Sequence, residues 1–168
     1  MKGMLGLILI LTACATARPA EVSREPLEFE LSRLEGGSWR LSSERGHPVL
    51  LHFFSTWCGP CKTALPRDAA LAERFLSKGL KAFAVSVDSD ANAVGPFVAQ
   101  MKLSMPVLLD TDLRVGDGLL RMRALPATYL FDAQGRLRFR SEGSEGSAQE
   151  EALVAEVERL FEASRPLQ

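Results

Sequence analysis

The sequence predicts an α/β fold with a central mixed β-sheet flanked by helices, and two observations predict it. Short apolar or alternating runs of strand length are interleaved with stretches whose apolar residues recur at helical spacing, in the order β-α-β-α and then β-β-α. The 168 residues, 46% of them hydrophobic, suffice for one compact domain with a proper core. Twenty basic residues against twenty-one acidic ones give a net charge of −1. No Lys/Arg cluster stands out, so neither a nucleic-acid-binding nor an anionic-membrane-binding surface is expected. No internal repeat is visible.

The chain opens with Lys2, an apolar run from Met4 to Leu11 and then small residues, the layout of an export signal. The run is too short to span a bilayer comfortably as a permanent helix. Leu11-Thr12-Ala13-Cys14 resembles the lipobox of bacterial lipoproteins, which implies cleavage before Cys14 and a lipid on its thiol. The competing reading is ordinary cleavage after Ala15-Thr16-Ala17. Both readings place the protein outside the cytoplasm, in the cell envelope. The expected organisation is a lipoprotein signal over 1–13, a lipid-attached linker over 14–26, without periodicity, and the folded domain over 27–168.

Leu27–Leu31 and Trp39–Leu41 alternate apolar with polar residues around Glu35-Gly36-Gly37-Ser38, the pattern of a β-hairpin. Val49–Phe54 is an apolar run fit for a buried central strand, and Cys61–Ser77 carries helical spacing (Leu65, Ala69, Ala72, Phe75). Leu80–Val87 predicts a second strand, Val94–Met101 a helix, Met105–Leu109 an extended segment and Leu113–Met122 a short helix. Thr128–Phe131 and Leu137–Arg140 flank the turn Asp132-Ala133-Gln134-Gly135. Ser141–Ser147, rich in Ser, Glu and Gly, reads as a flexible turn. Ser147 to Glu150 matches a capping box, and Leu153, Val157, Leu160 and Phe161 then form one apolar helix face.

The chemistry lies in Trp57-Cys58-Gly59-Pro60-Cys61, where a strand hands over to a helix. Cys-x-x-Cys in that setting reads as a redox pair. Unpaired N–H groups and the positive dipole end at a helix start favour a thiolate. Pro60 suits a first helical turn, because its missing N–H has no partner to lose there. Cys61, one turn in, is close enough to close a disulfide onto Cys58. A zinc site needs two more ligands, and Cys14, His47 and His52 lack paired-ligand spacing, so no metal is expected. A purely structural disulfide gains little from so short a loop. No other cofactor is expected.

With these motifs the sequence resembles the thioredoxin superfamily, and within it the membrane-attached TlpA/ResA-like branch. The resemblance rests on Trp57–Lys62, Pro66, Val85–Asp88, Pro106–Asp110, Leu125-Pro126-Ala127-Thr128 and Leu130–Arg136, and spans roughly Leu27 to Phe161. It implies a thioredoxin-like fold with an N-terminal β-hairpin and a TlpA-type insertion. It also implies that Cys58 is the nucleophile, that the more buried Cys61 resolves the mixed disulfide, and that Pro126 is cis and positions substrate. Leu125 would then pair with an extended substrate chain, and Trp57, Gly59 and Pro60 would complete the substrate-binding surface. Protein disulfides or thiols are the implied substrates, a membrane thiol donor the implied electron source, and a monomer the expected state. Apocytochrome c thiols are the family's most familiar substrate, so a part in cytochrome c biogenesis is one expectation.

Two departures from the family stand out. Ala64 occupies the place where the TlpA/ResA-like branch commonly carries glutamate. His52 occupies the place, six residues before the nucleophile, where thioredoxins bury an aspartate and the TlpA-like branch often has asparagine. No carboxylate is available at either place. His52 is therefore a candidate proton relay for Cys61, against a purely structural buried histidine. His47, beside Pro48, reads as an exposed turn residue. Gly-Pro between the cysteines favours a reductase working in an oxidising compartment. The alternatives are a thiol oxidant, a peroxidase and a non-catalytic binding module. A peroxidase needs a proline where this chain has Leu51, although Ser55 fits the second motif position; a binding module needs neither cysteine, and both are present.

Overall fold

A computed structural model describes residues 23–143 and 146–163. The expected export signal, Cys14 and most of the expected linker lie outside the described residues. The chain folds into a seven-stranded mixed sheet: β1 (Glu30–Arg33), β2 (Ser38–Arg40), β3 (Val49–Phe54), β4 (Lys81–Ser86), β5 (Val107–Leu109), β6 (Ala127–Phe131) and β7 (Leu137–Glu142). Three α-helices accompany it: α1 (Cys61–Leu76), α2 (Val94–Met101) and α3 (Ser147–Ala163). The strand order is β2-β1-β5-β4-β3-β6-β7. Strands β3, β4 and β5 run parallel, while β1 and β6 pair antiparallel with their neighbours at the two flanks. This is a thioredoxin-like fold.

All six residues of β3 are buried, as the unbroken apolar run implies for a strand covered on both faces. Its side chains divide by parity. Val49, Leu51 and Phe53 join a cluster with Phe29, Trp39, Phe83, Tyr129 and Phe131. Leu50 and Phe54 face the other way, towards the α-helices. Phe54 packs with Leu65 of α1 and Phe97 of α2, and Leu50 with Phe75 of α1 and Val157 of α3. All three α-helices thus cover one face. The other face is covered by the hairpin, a 3-10 turn over Leu41–Glu44 and a π-helical turn over Arg114–Leu119, whose Val115 is buried there.

Three details differ from the sequence reading. The hairpin is shifted from the alternation: β1 begins three residues later than expected and β2 one residue earlier, with Phe29 and Leu41 buried just outside the paired register. Strand β7 continues through Ser141 and Glu142, which pair with Thr128 and Ala127, so the Ser/Glu/Gly stretch starts as sheet rather than as turn. Ser147 is already helical. The side chain of Gln149 reaches back to the N–H of Gly146 at 3.2 Å, so Gly146 and Gln149 close the start of α3 in place of Ser147 and Glu150.

Trp39 anchors the hairpin. It is buried against Phe83 (ring centroids 4.8 Å apart) and its indole N–H donates to Glu44 at 2.9 Å. Trp39→Ala is expected to cost about 3–5 kcal/mol in urea unfolding. Cys58 and Cys61 pack in the cluster on the other face of the sheet, so the reactivity of this pair per folded molecule should be unchanged. A loss of stability under about 1 kcal/mol, the scale of a single buried methylene, would mean that the hairpin is not coupled to the core.

Candidate active site

The end of β3 launches the redox loop. Ser55 is buried, and Thr56 is pinned by Asp88, which follows β4: the Thr56 N–H donates to the Asp88 carboxylate at 2.9 Å and its hydroxyl at 2.8 Å. Ser86 donates a third bond to the same carboxylate at 2.8 Å. With Thr56 fixed, the chain turns through Trp57 and Cys58 into α1, where Pro60 precedes the first helical residue, Cys61. The Cys61 N–H donates to the Cys58 sulfur at 3.2 Å, and the two sulfurs are joined as a disulfide. A helix-start amide aimed at Cys58 favours its thiolate once the disulfide opens. Cys58 keeps 5% of its surface and Cys61 none, so only Cys58 is open to an incoming sulfur.

A groove of about 520 Å³ opens in front of Cys58. Trp57, Gly59 and Pro60 form one wall, Leu113 and Asp117 the opposite one, and Met122 to Leu125 the floor. Trp57 is 75% exposed, so it overhangs the groove rather than shielding the disulfide by packing. The far wall comes from the segment after β5. Asp110, buried, accepts the N–H groups of Val115 and Gly116 at 3.2 and 2.7 Å and so holds the π-helical turn in place. Gly116 keeps this turn close-packed, since a Cβ would lie 3.0 Å from the Met122 methyl and 3.2 Å from the Asp110 carboxylate and would have to displace them. Leu113 and Arg121, on either side of the turn, both adopt left-handed backbone (φ 58° and 54°).

The peptide bond Leu125–Pro126 is cis, and Leu125 packs half-buried against the cluster that holds both cysteines. Glu142 at the end of β7 braces this loop. It accepts the Arg123 N–H at 2.9 Å and the Tyr129 hydroxyl at 2.8 Å, and pairs with Arg140. The N–H of Gly143 donates to the Pro126 carbonyl at 2.8 Å. Burial pushes the Tyr129 phenol well above its usual value, helped by its bond to Glu142. For Glu142, burial alone would raise the carboxyl, but the Arg123 N–H, the Tyr129 hydroxyl and Arg140 together hold it below its usual value.

Beneath the disulfide lies a polar layer that the sequence reading only half contained. His52 is fully buried on the helix-facing side of β3, opposite Thr128 of β6 and Ala84 of β4. Its Nδ1 lies 2.7 Å from the carboxylate of Asp68, also buried, on α1. Thr128 donates to the same Asp68 oxygen at 2.9 Å. The sequence reading named no carboxylate as a partner of His52, and the structure supplies one. The acid comes from the helix, not from the strand or the position of Ala64. The available signal was spacing: Asp68 falls seven residues after Cys61, on the same helix face as Cys61 and Leu65. His47 is exposed, next to Gly79. Leu51 is buried on the opposite face of the sheet from His52, and the Ser55 hydroxyl is buried without a partner among the described residues. No cluster of metal-ligating residues occurs among the described residues.

The AhpC/TSA family profile matches residues 22–140. The chain belongs to the AhpC/TSA family. Over 155 residues it is 28% identical to a thiol-disulfide oxidoreductase ResA of Bacillus cereus, covering 92% of this chain and 89% of that one. It is 36% identical to ResA of Bacillus subtilis over 109 residues, 65% of this chain and 60% of that one. Among solved structures, a Chlorobium tepidum protein described as a DsbE thiol:disulfide interchange protein superposes with a TM-score of 0.76 at 24% identity, covering 84% of this chain and 98% of the other. The chain is accordingly a ResA-like thiol–disulfide oxidoreductase whose redox pair is Cys58–Cys61.

The Glu142 brace gives a pH signature. A carboxyl depressed in the folded state stabilises the fold fully above its unfolded value, and that stability is lost as pH falls through the folded value. The stability difference between the native protein and Glu142→Gln should therefore be largest near neutral pH and shrink as the pH drops below about 4.5, the usual value of a glutamate. Thermal unfolding of both proteins across that range measures it. A difference that stays constant with pH would show that Glu142 is not bound as a carboxylate.

Proposed function

We propose that this oxidoreductase is exported, held at the membrane by a lipid on Cys14, and works as a reductase of protein disulfides. The observation that carries the proposal is the unequal placement of the two sulfurs: Cys58 faces the groove with a helix-start N–H on its sulfur, while Cys61 is sealed in the core. In the reduced protein the Cys58 thiolate attacks one sulfur of a substrate disulfide and forms a mixed disulfide, and the other substrate sulfur leaves as a thiolate. Cys61 gives up its proton and its thiolate attacks the Cys58 sulfur. The second substrate sulfur leaves and is protonated to the thiol, and the protein is left with the Cys58–Cys61 disulfide. The substrate gains two electrons and the enzyme loses two, to be restored by a membrane thiol donor.

In this reading the extended substrate chain lies along Leu125 beside Pro126, with Trp57, Gly59 and Pro60 on its other side. The buried His52 takes the proton that Cys61 must lose before it can attack. Residues 1–13 are the signal and 14–26 the tether of the domain. The Leu-Thr-Ala-Cys segment after an apolar core of signal length supports the lipid site, and among the described residues no helix is long and apolar enough to cross a membrane.

Cys58→Ser should abolish reduction of a protein disulfide, whereas Cys61→Ser should still attack and accumulate mixed disulfides on Cys58, visible by mass after acid quenching. Alkylation of Cys58 in the reduced protein should show its inflection below about 8.5, the value of a free thiol. Failure of Cys61→Ser to trap any partner would remove the reductase reading. Incorporation of a fatty-acid analogue should depend on Cys14, and unchanged labelling in Cys14→Ser would remove the lipid anchor.

A further inference from the structure

We propose that Asp68 is the positioning residue of the redox centre: it holds the proton of His52 on Nδ1 and so leaves Nε2 as the base that receives the Cys61 proton. The inference rests on the relay reading of His52 above and adds to it a second residue and a defined tautomer.

The geometry is specific. One oxygen of Asp68 receives both His52 Nδ1 at 2.7 Å and the Thr128 hydroxyl at 2.9 Å, and Thr128 Oγ1 itself lies 3.3 Å from Nδ1. A carboxylate can only accept, so the hydrogens lie on Nδ1 and on Oγ1. The remaining ring nitrogen, Nε2, is buried and without a hydrogen-bond partner among the described residues. Such an atom costs free energy in an apolar layer, and as the lone pair of a basic nitrogen it is a proton acceptor.

The surroundings leave Asp68 and His52 to balance each other. Across the sheet, the side chains in register with His52 are Ala84 of β4, Thr128 of β6 and, beyond it, Ser141 of β7. From α1 come Asp68 and, one layer nearer the groove, Leu65 and Cys61. The layer on the other side is apolar, with Leu50, Leu71, Phe75 and Leu130. Among the described residues no cation has a hydrogen bond or ion pair to Asp68 other than His52. The bond from Nδ1 to Asp68 fixes the orientation and tautomer of the ring, so that Nε2 is presented as the free acceptor.

The step balances within the site. The Cys61 thiol transfers its proton to His52 Nε2, directly or through one water, giving a thiolate and an imidazolium paired with Asp68. The thiolate forms the Cys58–Cys61 bond as the substrate sulfur leaves, and the imidazolium returns the proton to the departing thiolate or to solvent. The first attack by Cys58 needs none of this, because Cys58 is served by the Cys61 N–H and faces the groove.

The two steps are separable with an aromatic disulfide, dithiobis(nitrobenzoate), added to the reduced full-length protein. Attack by Cys58 releases one coloured thiolate, and resolution by Cys61 releases the second. Asp68→Asn should slow the second release about tenfold or more, and leave the first within about twofold, given the usual size of general-base contributions. Nitrogen NMR of histidine-labelled, reduced native protein should show the His52 proton on Nδ1, a reading that needs no variant. A proton on Nε2 in the native protein overturns the proposal, and so does an unchanged second release in Asp68→Asn. His52→Asn separates the two ideas: if that variant resolves at the native rate the relay itself fails, whereas slow His52→Asn with normal Asp68→Asn removes only the role of Asp68.

Discussion

Strand β3 is hydrogen-bonded on both edges, to β4 in parallel and to β6 in antiparallel register, and buried on both faces. A segment so enclosed has no low-energy way to shift: a slip of one residue would turn Leu51 and Phe53 into the helix layer and His52 into the aromatic cluster. The redox loop inherits this rigidity directly, because Ser55 to Cys58 follow the last paired residue. Asp88 then fixes Thr56 from the neighbouring strand, so the loop is held at its root by main-chain pairing and at its second residue by a carboxylate. Cys58 is thus positioned by the most protected part of the molecule, although it lies on a loop itself. The groove's far wall is built by the same device. Asp110, following β5, caps the backbone of the π-helical turn and presents Leu113 and Asp117 to the groove.

The same strand carries an interruption in the helix-side core. His52, Asp68 and Thr128 form a buried polar layer between the apolar layer of Leu50 and Phe75 and that of Phe54 and the cysteines. Such a layer is a poor source of stability, since the cost of burying polar groups offsets most of what their hydrogen bonds return. Its value lies in where it sits. Strand and helix each contribute one member, so the pair forms only when α1 is docked in register on β3, and the register that brings Asp68 to His52 also seats Cys61 in the layer above.

Much of this was legible in the sequence because it follows from periodicity. The continuous apolar run of β3, the helical spacing after Cys61 and the alternation of the hairpin strands specify elements whose burial decides their conformation. The strand-to-helix handover at Cys58 carried the chemistry for the same reason. What escaped was set by tertiary contacts. Asp68 looks like one more surface carboxylate in a helix that also carries Lys62, Arg67, Glu73 and Arg74, and only the docking of α1 shows that it faces inward. Glu142 lies in a Ser/Glu/Gly stretch with the composition of a loop, and pairing with β6 overrides that composition. The start of α3 moved by one residue because Gln149 reaches the N–H of Gly146, an alternative that the neighbouring Ser147 and Glu150 masked.

The two cysteines are three residues apart, yet they belong to different chemical environments, and this lets one short motif do two jobs. Cys58 meets the groove, where exposed Trp57 and Leu113 offer apolar surface and the cis Leu125–Pro126 bond sets the edge. Cys61 meets the core, where no substrate reaches and the buried titratable pair is His52 and Asp68. Residues there govern how readily the second sulfur loses its proton. Because the helix start divides the environments, substitutions on one side need not disturb the other. The groove brace through Glu142 and the buried layer through Asp68 are therefore structurally separate, one bordering the groove at Cys58 and the other lying in the core with Cys61.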